Sequence, residues 1–266
     1  LFTFLKLIKS NANLFNTNKI YIAWDTKLTK NVNFRKVLTE GSYKGTRDFA
    51  RNKEVYDSMT DVLACTTALG IKNIFPGSLE ADDVISWLVK TVEGKKTVVS
   101  VDNDFAQLVA EDVELYNPIK KINITTFNFN DIFKLTPKEY IFYKAIVGDV
   151  SDNINGLKGF GKVKGINLAK AFAANQQDVI QPYMAQVTEN LKLVDLSYGI
   201  DNNPEEIAIY NEQYAKLQPL KPDFNEFKNL CTELEFHSIL NNFSDWDNTF
   251  GKSTGEVIVD FCKLFE

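Results

Sequence analysis

"KTVVSVDND", Lys96 to Asp104, is a short valine-rich run that stops abruptly at two acids, Asp102 and Asp104. A continuous apolar run of this length reads as a strand buried on both faces, the kind found in parallel sheets. "KIYIAWD", Lys19 to Asp25, repeats the pattern and again ends in an acid. Helical spacing separates the two. Val55, Met59, Val62, Leu63 and Leu69 recur until Gly70, and Val84, Ile85, Leu88, Val89 and Val92 follow "EADD" until Gly94. Strands alternating with helices predict the α/β class, with a central, mostly parallel sheet flanked by helices. "LFTFLKLIKS" at the front reads as an amphipathic helix entered part-way, so the natural start is expected to lie outside this sequence.

The pattern changes near Asn128. In "TPKEYIFYKAIVG", Thr136 is suited to the N-cap, Pro137 to the first helical position and Glu139 to the return bond of a capping box. Helical spacing dominates from there. The expected division is an α/β part over residues 1–128 and a helical part over residues 129–266.

Composition narrows the chemistry. The 266 residues include 44% hydrophobic and 24% charged side chains, ordinary for a globular protein, and no apolar run reaches the length of a membrane span. Cys65, Cys231 and Cys262 lack CxxC spacing, which fits reduced thiols in a cytoplasmic protein and not a zinc ribbon. The one histidine, His237, is expected on an ordinary helix, so catalysis must come from carboxylates, lysines or bound metal.

The net charge of −5 hides an uneven distribution. Lys27 to Lys53 carries eight basic and two acidic residues, and Asn153 to Gln177 carries four lysines and no acid. Asp201 to Glu266 has five basic and thirteen acidic residues, and is expected to cover a face away from substrate. Phosphate binding follows the local footprint, not the average.

Active groups in open α/β sheets gather at the carboxyl ends of strands. Asp25, Asp102 and Asp104 stand there, while Glu80, Asp82 and Asp83 begin a helix and Asp149 and Asp152 follow one. Eight carboxylates brought together without histidine repel one another unless cations are bound, and Mg²⁺ or Mn²⁺ suits oxygen ligands. "GLKGFGKVKG" then sets Gly156, Gly159, Gly161 and Gly165 around Lys158, Lys162 and Lys164 just ahead of a helix. Such a turn exposes backbone amides at a helix N-terminus, a phosphate site indifferent to base sequence.

The ordered set "AWD", "YKGTRD", "EADD", "SVDNDFAQL" and "GDVSDNINGLKGFGKVKG" resembles the 5′ nuclease, or flap endonuclease, family, over roughly Ile20 to Phe172. The resemblance implies a PIN-like core with a helical arch and a helix–three-turn–helix motif in the helical part. It implies a Mg²⁺-dependent enzyme that cuts DNA phosphodiesters near single-strand/duplex junctions, as flap endonuclease and 5′→3′ exonuclease, with two or more ions. By the same resemblance Asp25, Glu80 and Asp82 hold one metal and Asp102, Asp104 and Asp149 the second, with Asp83 and Asp152 as neighbouring or water-mediated ligands. Lys44 and Arg47 meet the scissile phosphate and Tyr43 stacks on an unpaired base. Gly159, Gly161, Lys162 and Lys164 hold duplex backbone, in some members with K⁺.

The implied partner is DNA with a 5′ flap or junction, or an RNA primer, for a monomer without membrane attachment. The family's first acid, after its first strand, has no counterpart ahead of Asp25. The sheet is therefore expected to lack that strand. An inactive junction-binding relative, a PIN-like ribonuclease and a phosphatase or nucleotidase using the same carboxylates are the rival readings.

Overall fold

The computed structural model describes residues 1–24, 33–44, 58–216, 221–251 and 257–262. The first half alternates as expected. Helix α1 (Phe2–Leu14) leads to β1 (Lys19–Trp24), and a short α2 (Phe34–Leu38) precedes α3 (Met59–Ala68). Then come β2 (Lys72–Ile74), α4 (Ala81–Thr91), β3 (Lys96–Val99), β4 (Val113–Asn117) and β5 (Ile122–Ile124). The strand at Lys96 is shorter than its apolar run implies. Asp102 lies three residues past its end and caps a 3₁₀ turn, its side chain accepting from Asp104 N–H.

The helical stretch contains α5 (Phe129–Phe133), α6 (Pro137–Val147), α7 (Lys162–Ala173), α8 (Gln177–Ile180) and α9 (Met184–Val194). Two very short strands, β6 (Gly148–Asp149) and β7 (Ile154–Asn155), lie between α6 and α7. The stretch continues through α10 (Leu196–Asp201), α11 (Pro204–Lys216), α12 (Phe224–Glu233), α13 (His237–Leu240) and α14 (Phe243–Phe250). Helix α6 starts as its capping box predicts: Thr136 Oγ1 accepts from Glu139 N–H, and Glu139 Oε2 from Thr136 N–H. His237 is exposed at the start of the short helix α13.

One strand sits where the sequence does not lead one to look. Residues 257–262 form β8, and the sheet order is β2-β1-β8-β3-β4-β5. β8 runs parallel to both β1 and β3, with Ile22 and Val99 flanking Asp260 in register. Among the described residues only the β4–β5 pair is antiparallel in this sheet. The expectation that the sheet lacks a strand is thus corrected, because the far end of the chain supplies one at its centre. The acidic stretch from Asp201 is likewise no mere outer cover.

Alternation along the strands divides the core between two faces of the sheet. Tyr21, Ala23 and Val259 pack with α4, α6, α7, α9 and α10. Ile20, Ile22, Trp24 and Ile258 pack with α1, α3, and residues Phe227, Trp246 and Phe250. Each fully buried side chain of this size contributes about 1.5–3 kcal/mol. The division expected near residue 128 therefore does not separate two cores. The first cluster crosses it, and α12 to α14 complete the second beneath the α/β sheet.

Candidate active site

The hairpin after α6 pairs β6 antiparallel with β7. Gly148 has φ +73°, and a Cβ there would lie 2.4 Å from Gly156 N. Only glycine allows this closure. The hairpin turns Asp149 back toward α6, where Lys144 Nζ lies 2.7 Å from Asp149 Oδ2 and 2.7 Å from Asp104 Oδ1. A single ammonium thus joins an acid from the sheet's carboxyl edge to an acid from the helical stretch. Asp149 Oδ1 also accepts from Ser151 N (2.8 Å), Ser151 Oγ (2.6 Å) and Asp152 N (3.3 Å).

The electrostatics of the two acids differ. Burial alone raises the Asp149 carboxyl, but hydrogen bonds from Lys144 and Ser151 outweigh it and bring it down to about 2. Asp104 is raised above the ordinary carboxylate range by burial, with Asp102 and Asp149 opposing the pull of Lys144. Lys144 itself is raised: burial lowers it, and its two acids more than reverse that.

A second group is built on the start of α4. Glu80 is the N-cap residue, and Asp83 Oδ2 accepts from its backbone N–H at 2.9 Å. Arg35 from α2, 2% exposed, places Nη1 and Nη2 on the two oxygens of Asp83 at 2.6 and 2.8 Å, and Nη1 also reaches Glu80 Oε2 at 3.2 Å. Its Nε donates to Leu193 O at 2.9 Å. Lys44 Nζ lies 2.7 Å from Glu80 Oε1. Burial raises Glu80, yet Lys44 and Arg35 overcome it and hold the carboxyl at about 2. Asp82 is half-buried on the same turn of helix.

Tyr43 joins the two groups. Its hydroxyl is 2.9 Å from Glu80 Oε2 and 3.1 Å from Asp152 Oδ2, and Lys44 N donates to Asp152 O at 3.1 Å. The stacking role expected for Tyr43 is corrected by this placement, since the ring is only 3% exposed and its polar end is committed to carboxylates. Asp83 is corrected too. Both its oxygens are taken by Arg35, so it orients Glu80 instead of facing a ligand. Lys44 is 8% exposed and held by Glu80, not free at the surface.

The seven described acids, Glu80, Asp82, Asp83, Asp102, Asp104, Asp149 and Asp152, fall into the two groups above and not into one metal-binding cluster. Among the described residues no group of three or more His, Cys, Asp or Glu side chains is arranged to hold a metal ion as it stands. The donors present still fit a hard cation. They are oxygens, and Asp104 and Asp149 already share one positive charge. Asp25 and Arg47 lie outside the described residues.

Beyond the hairpin, the glycine–lysine turn reaches α7. Gly159 has φ +85°, with nothing within 4 Å of a Cβ built there or at Gly161. Lys158, Lys162 and Lys164 are exposed around it. Gly165 keeps the helices close, because a Cβ there would sit 2.7 Å from Val147 Cγ1 and 3.2 Å from Tyr143 Cε2. Helix α6 therefore carries Lys144 and its acids at one end of the hairpin and packs directly on the helix that the turn opens.

Arg35 and Lys144 escape a reading of the sequence. Arg35 is one basic residue among eight in a cationic stretch, and Lys144 one polar position on a helix. Spacing of Lys144 five residues before Asp149 on a helix end is the available signal for the second.

The fold is that of the 5′ nucleases. The structure described as "Divalent metal ions (zinc) bound to T5 5′-exonuclease" aligns with a TM-score of 0.64 at 22% identity, covering 82% of this chain and 90% of that one. A second, of T5 D15 protein co-crystallised with metal ions, gives 0.63 at 21% identity. A family model described as "5′-3′ exonuclease, N-terminal resolvase-like domain" matches residues 1–135, half of the chain. The chain belongs to this 5′-3′ exonuclease family. It is 31% identical over 173 residues to a 5′-3′ exonuclease of Buchnera aphidicola subsp. Schizaphis graminum, covering 64% of this chain and 58% of that protein. It is 30% identical over 171 residues to that of Aquifex aeolicus, covering 60% and 57%. These two matches span less than two thirds of the relatives' length. A 5′-3′ exonuclease of Buchnera aphidicola subsp. Acyrthosiphon pisum is 27% identical over 260 residues, covering 90% and 85%. No helix among the described residues is long and apolar enough to cross a membrane.

Proposed function

We propose that this protein is a Mg²⁺-dependent 5′ nuclease that cuts DNA at single-strand/duplex junctions. The observation that carries the reading is the meeting of Asp104 and Asp149 on one cation, at the end of the helix packed on the glycine–lysine turn. Asp102, Asp104 and Asp149 would hold one ion, and Glu80, Asp82 and Asp25 a second, with Asp152 alongside. Ions held there would supply an activated water and stabilise charge on the leaving oxygen. The chain's own groups do the rest. Asp83 and Arg35 fix Glu80, Tyr43 ties Glu80 to Asp152, and Lys44 and Arg47 serve the scissile phosphate. The amides and lysines of the turn grip duplex backbone, with K⁺ as an additional ion there. The substrate end is a 5′ flap, a free 5′ terminus or an RNA primer, and the working form is a monomer.

Asp260 completes the set in this reading. Its backbone lies on the strand between those that lead to Asp25 and to Asp102, which supports counting it with these acids. Asp260→Asn is expected to lower single-turnover cleavage by about a hundredfold or more, as removal of a group that acts on developing charge does. Junction affinity and thermal stability should change little. A variant that cuts at the parent rate would remove Asp260 from the site.

The turn has its own test. Removing one lysine–phosphate pair flattens the salt dependence of binding by roughly one unit of slope. Lys162→Ala with Lys164→Ala should weaken binding to any duplex alike and leave cutting at saturation nearly unchanged. A sequence-dependent loss, or an unchanged slope, would count against the turn as a backbone grip. The reading as a whole is tested with a 5′-labelled flap substrate: a product cut near the junction in Mg²⁺ and none in EDTA is expected. Equal cleavage in EDTA would overturn it.

A further inference from the structure

Lys144 is the least expected member of the site. It comes from the last turn of α6, its side chain is 13% exposed, and its ammonium is 2.7 Å from each of two acids that belong to different elements. Lys144 spans the two acids that the metal reading requires to converge, and it does so as the only cation paired with either among the described residues. A divalent ion held by Asp104 Oδ1 and Asp149 Oδ2 would use the same oxygens.

We propose that Lys144 is a tethered stand-in cation. It positions Asp104 and Asp149 for metal binding, competes with the divalent ion for them, and is displaced from both when the ion arrives. The proposal rests on the metal reading above but goes beyond it, because that reading needs only the carboxylates. The physical reason is balance. Two acids this close repel each other when no cation is present, and the hairpin that carries Asp149 is held by few residues. A lysine on the neighbouring helix removes the repulsion and keeps both side chains in place. The cost is weaker metal binding, since the ion must displace an attached charge. The Glu80 group has a parallel arrangement in Lys44, which lies 2.7 Å from Glu80 Oε1.

The test has two arms, neither of which reads cleavage. In the first, Mn²⁺ binding is followed by the loss of the free-ion paramagnetic resonance signal, for the parent protein and for Lys144→Met. With the competitor gone, Mn²⁺ should bind about tenfold more tightly, the equivalent of about 1.4 kcal/mol. In the second, the parent protein is treated with acetic anhydride in EDTA and in Mg²⁺, and acetylation at Lys144 is read by mass spectrometry. Lys144 should react several-fold faster in Mg²⁺, while exposed Lys162 reacts equally in both. This arm keeps the proposal open to refutation if Lys144→Met does not fold. Equal or weaker Mn²⁺ affinity in a folded Lys144→Met, or equal or slower acetylation of Lys144 in Mg²⁺, would show that Lys144 stays in place and is not displaced. If the parent protein binds no Mn²⁺ at all, the metal reading itself fails and this proposal with it.

Discussion

Asp102→Ala and Asp149→Ala are expected to lower cleavage by about a hundredfold to a thousandfold, while junction affinity stays equal or rises. The asymmetry follows from the charges. Each carboxylate is proposed to act on groups whose charge changes during the reaction, where removing a single stabilising group costs about two to three orders of magnitude. For the bound duplex the same carboxylate is a negative charge near phosphates, so its removal lessens repulsion. The two variants should differ in stability. Asp149 accepts from Lys144, Ser151 and Asp152, so its loss leaves a lysine with one partner and a hairpin with fewer ties. Asp102 caps a 3₁₀ turn, an interaction worth about 1 kcal/mol. Single-turnover cutting of a flap and binding of the same substrate in Ca²⁺ separate the effects. Weakened affinity with retained turnover in either variant would make the carboxylates structural.

The parts of this site that are legible in the sequence are those set by local rules. The strands at Ile20 and Thr97 announce themselves by β-rich apolar runs that end in acids, and α6 by a capping box and Pro137. The glycine–lysine turn is local as well, and its open Gly159 is where a tight reversal requires it. What is not legible depends on distance along the chain. "EVIVDF" has the composition of a strand, but nothing local says that residues 257–262 enter the sheet between β1 and β3. The hydroxyl of the buried Tyr43 meets Asp152, 109 positions away, so its aromatic ring reads as a stacking platform until the fold closes over it. Lys144 looks like a polar helix position until the hairpin returns Asp149 to it. Arg35 is hidden for the same reason. Its partners are 45 and 48 positions off, and charge counting treats it as one of eight basic residues in a phosphate-binding stretch.

Arg35 also carries the largest expected effect on stability. Arg35→Met should destabilise the protein by about 3–5 kcal/mol at neutral pH, because it strands Asp83 and part of Glu80 in a buried position without the cation that offsets their desolvation. The side chains of Asp83 and Glu80 are 0% and 8% exposed, so water cannot replace the guanidinium. Arg35→Lys should fall between the two proteins, since an ammonium cannot reproduce two parallel bonds to Asp83 together with the bond to Leu193 O. The pH dependence distinguishes missing charge pairing from missing packing. Glu80 is lowered from an ordinary 4.5 to about 2 in the folded protein, against the effect of its burial, by Lys44 and Arg35. A carboxyl depressed on folding contributes stability that is present above its unfolded value and lost as the pH falls toward the folded one. In Arg35→Met much of that contribution is already gone, and acid also neutralises the Glu80 carboxylate. The stability gap between parent and variant should therefore be widest near pH 7 and narrow as the pH falls below 4.5 toward 2. Urea unfolding at pH 7 and at the lowest pH where both proteins still fold measures it. A gap that stays constant would assign the loss to the packed stem of Arg35, and the guanidinium would no longer be what holds Glu80 in the site.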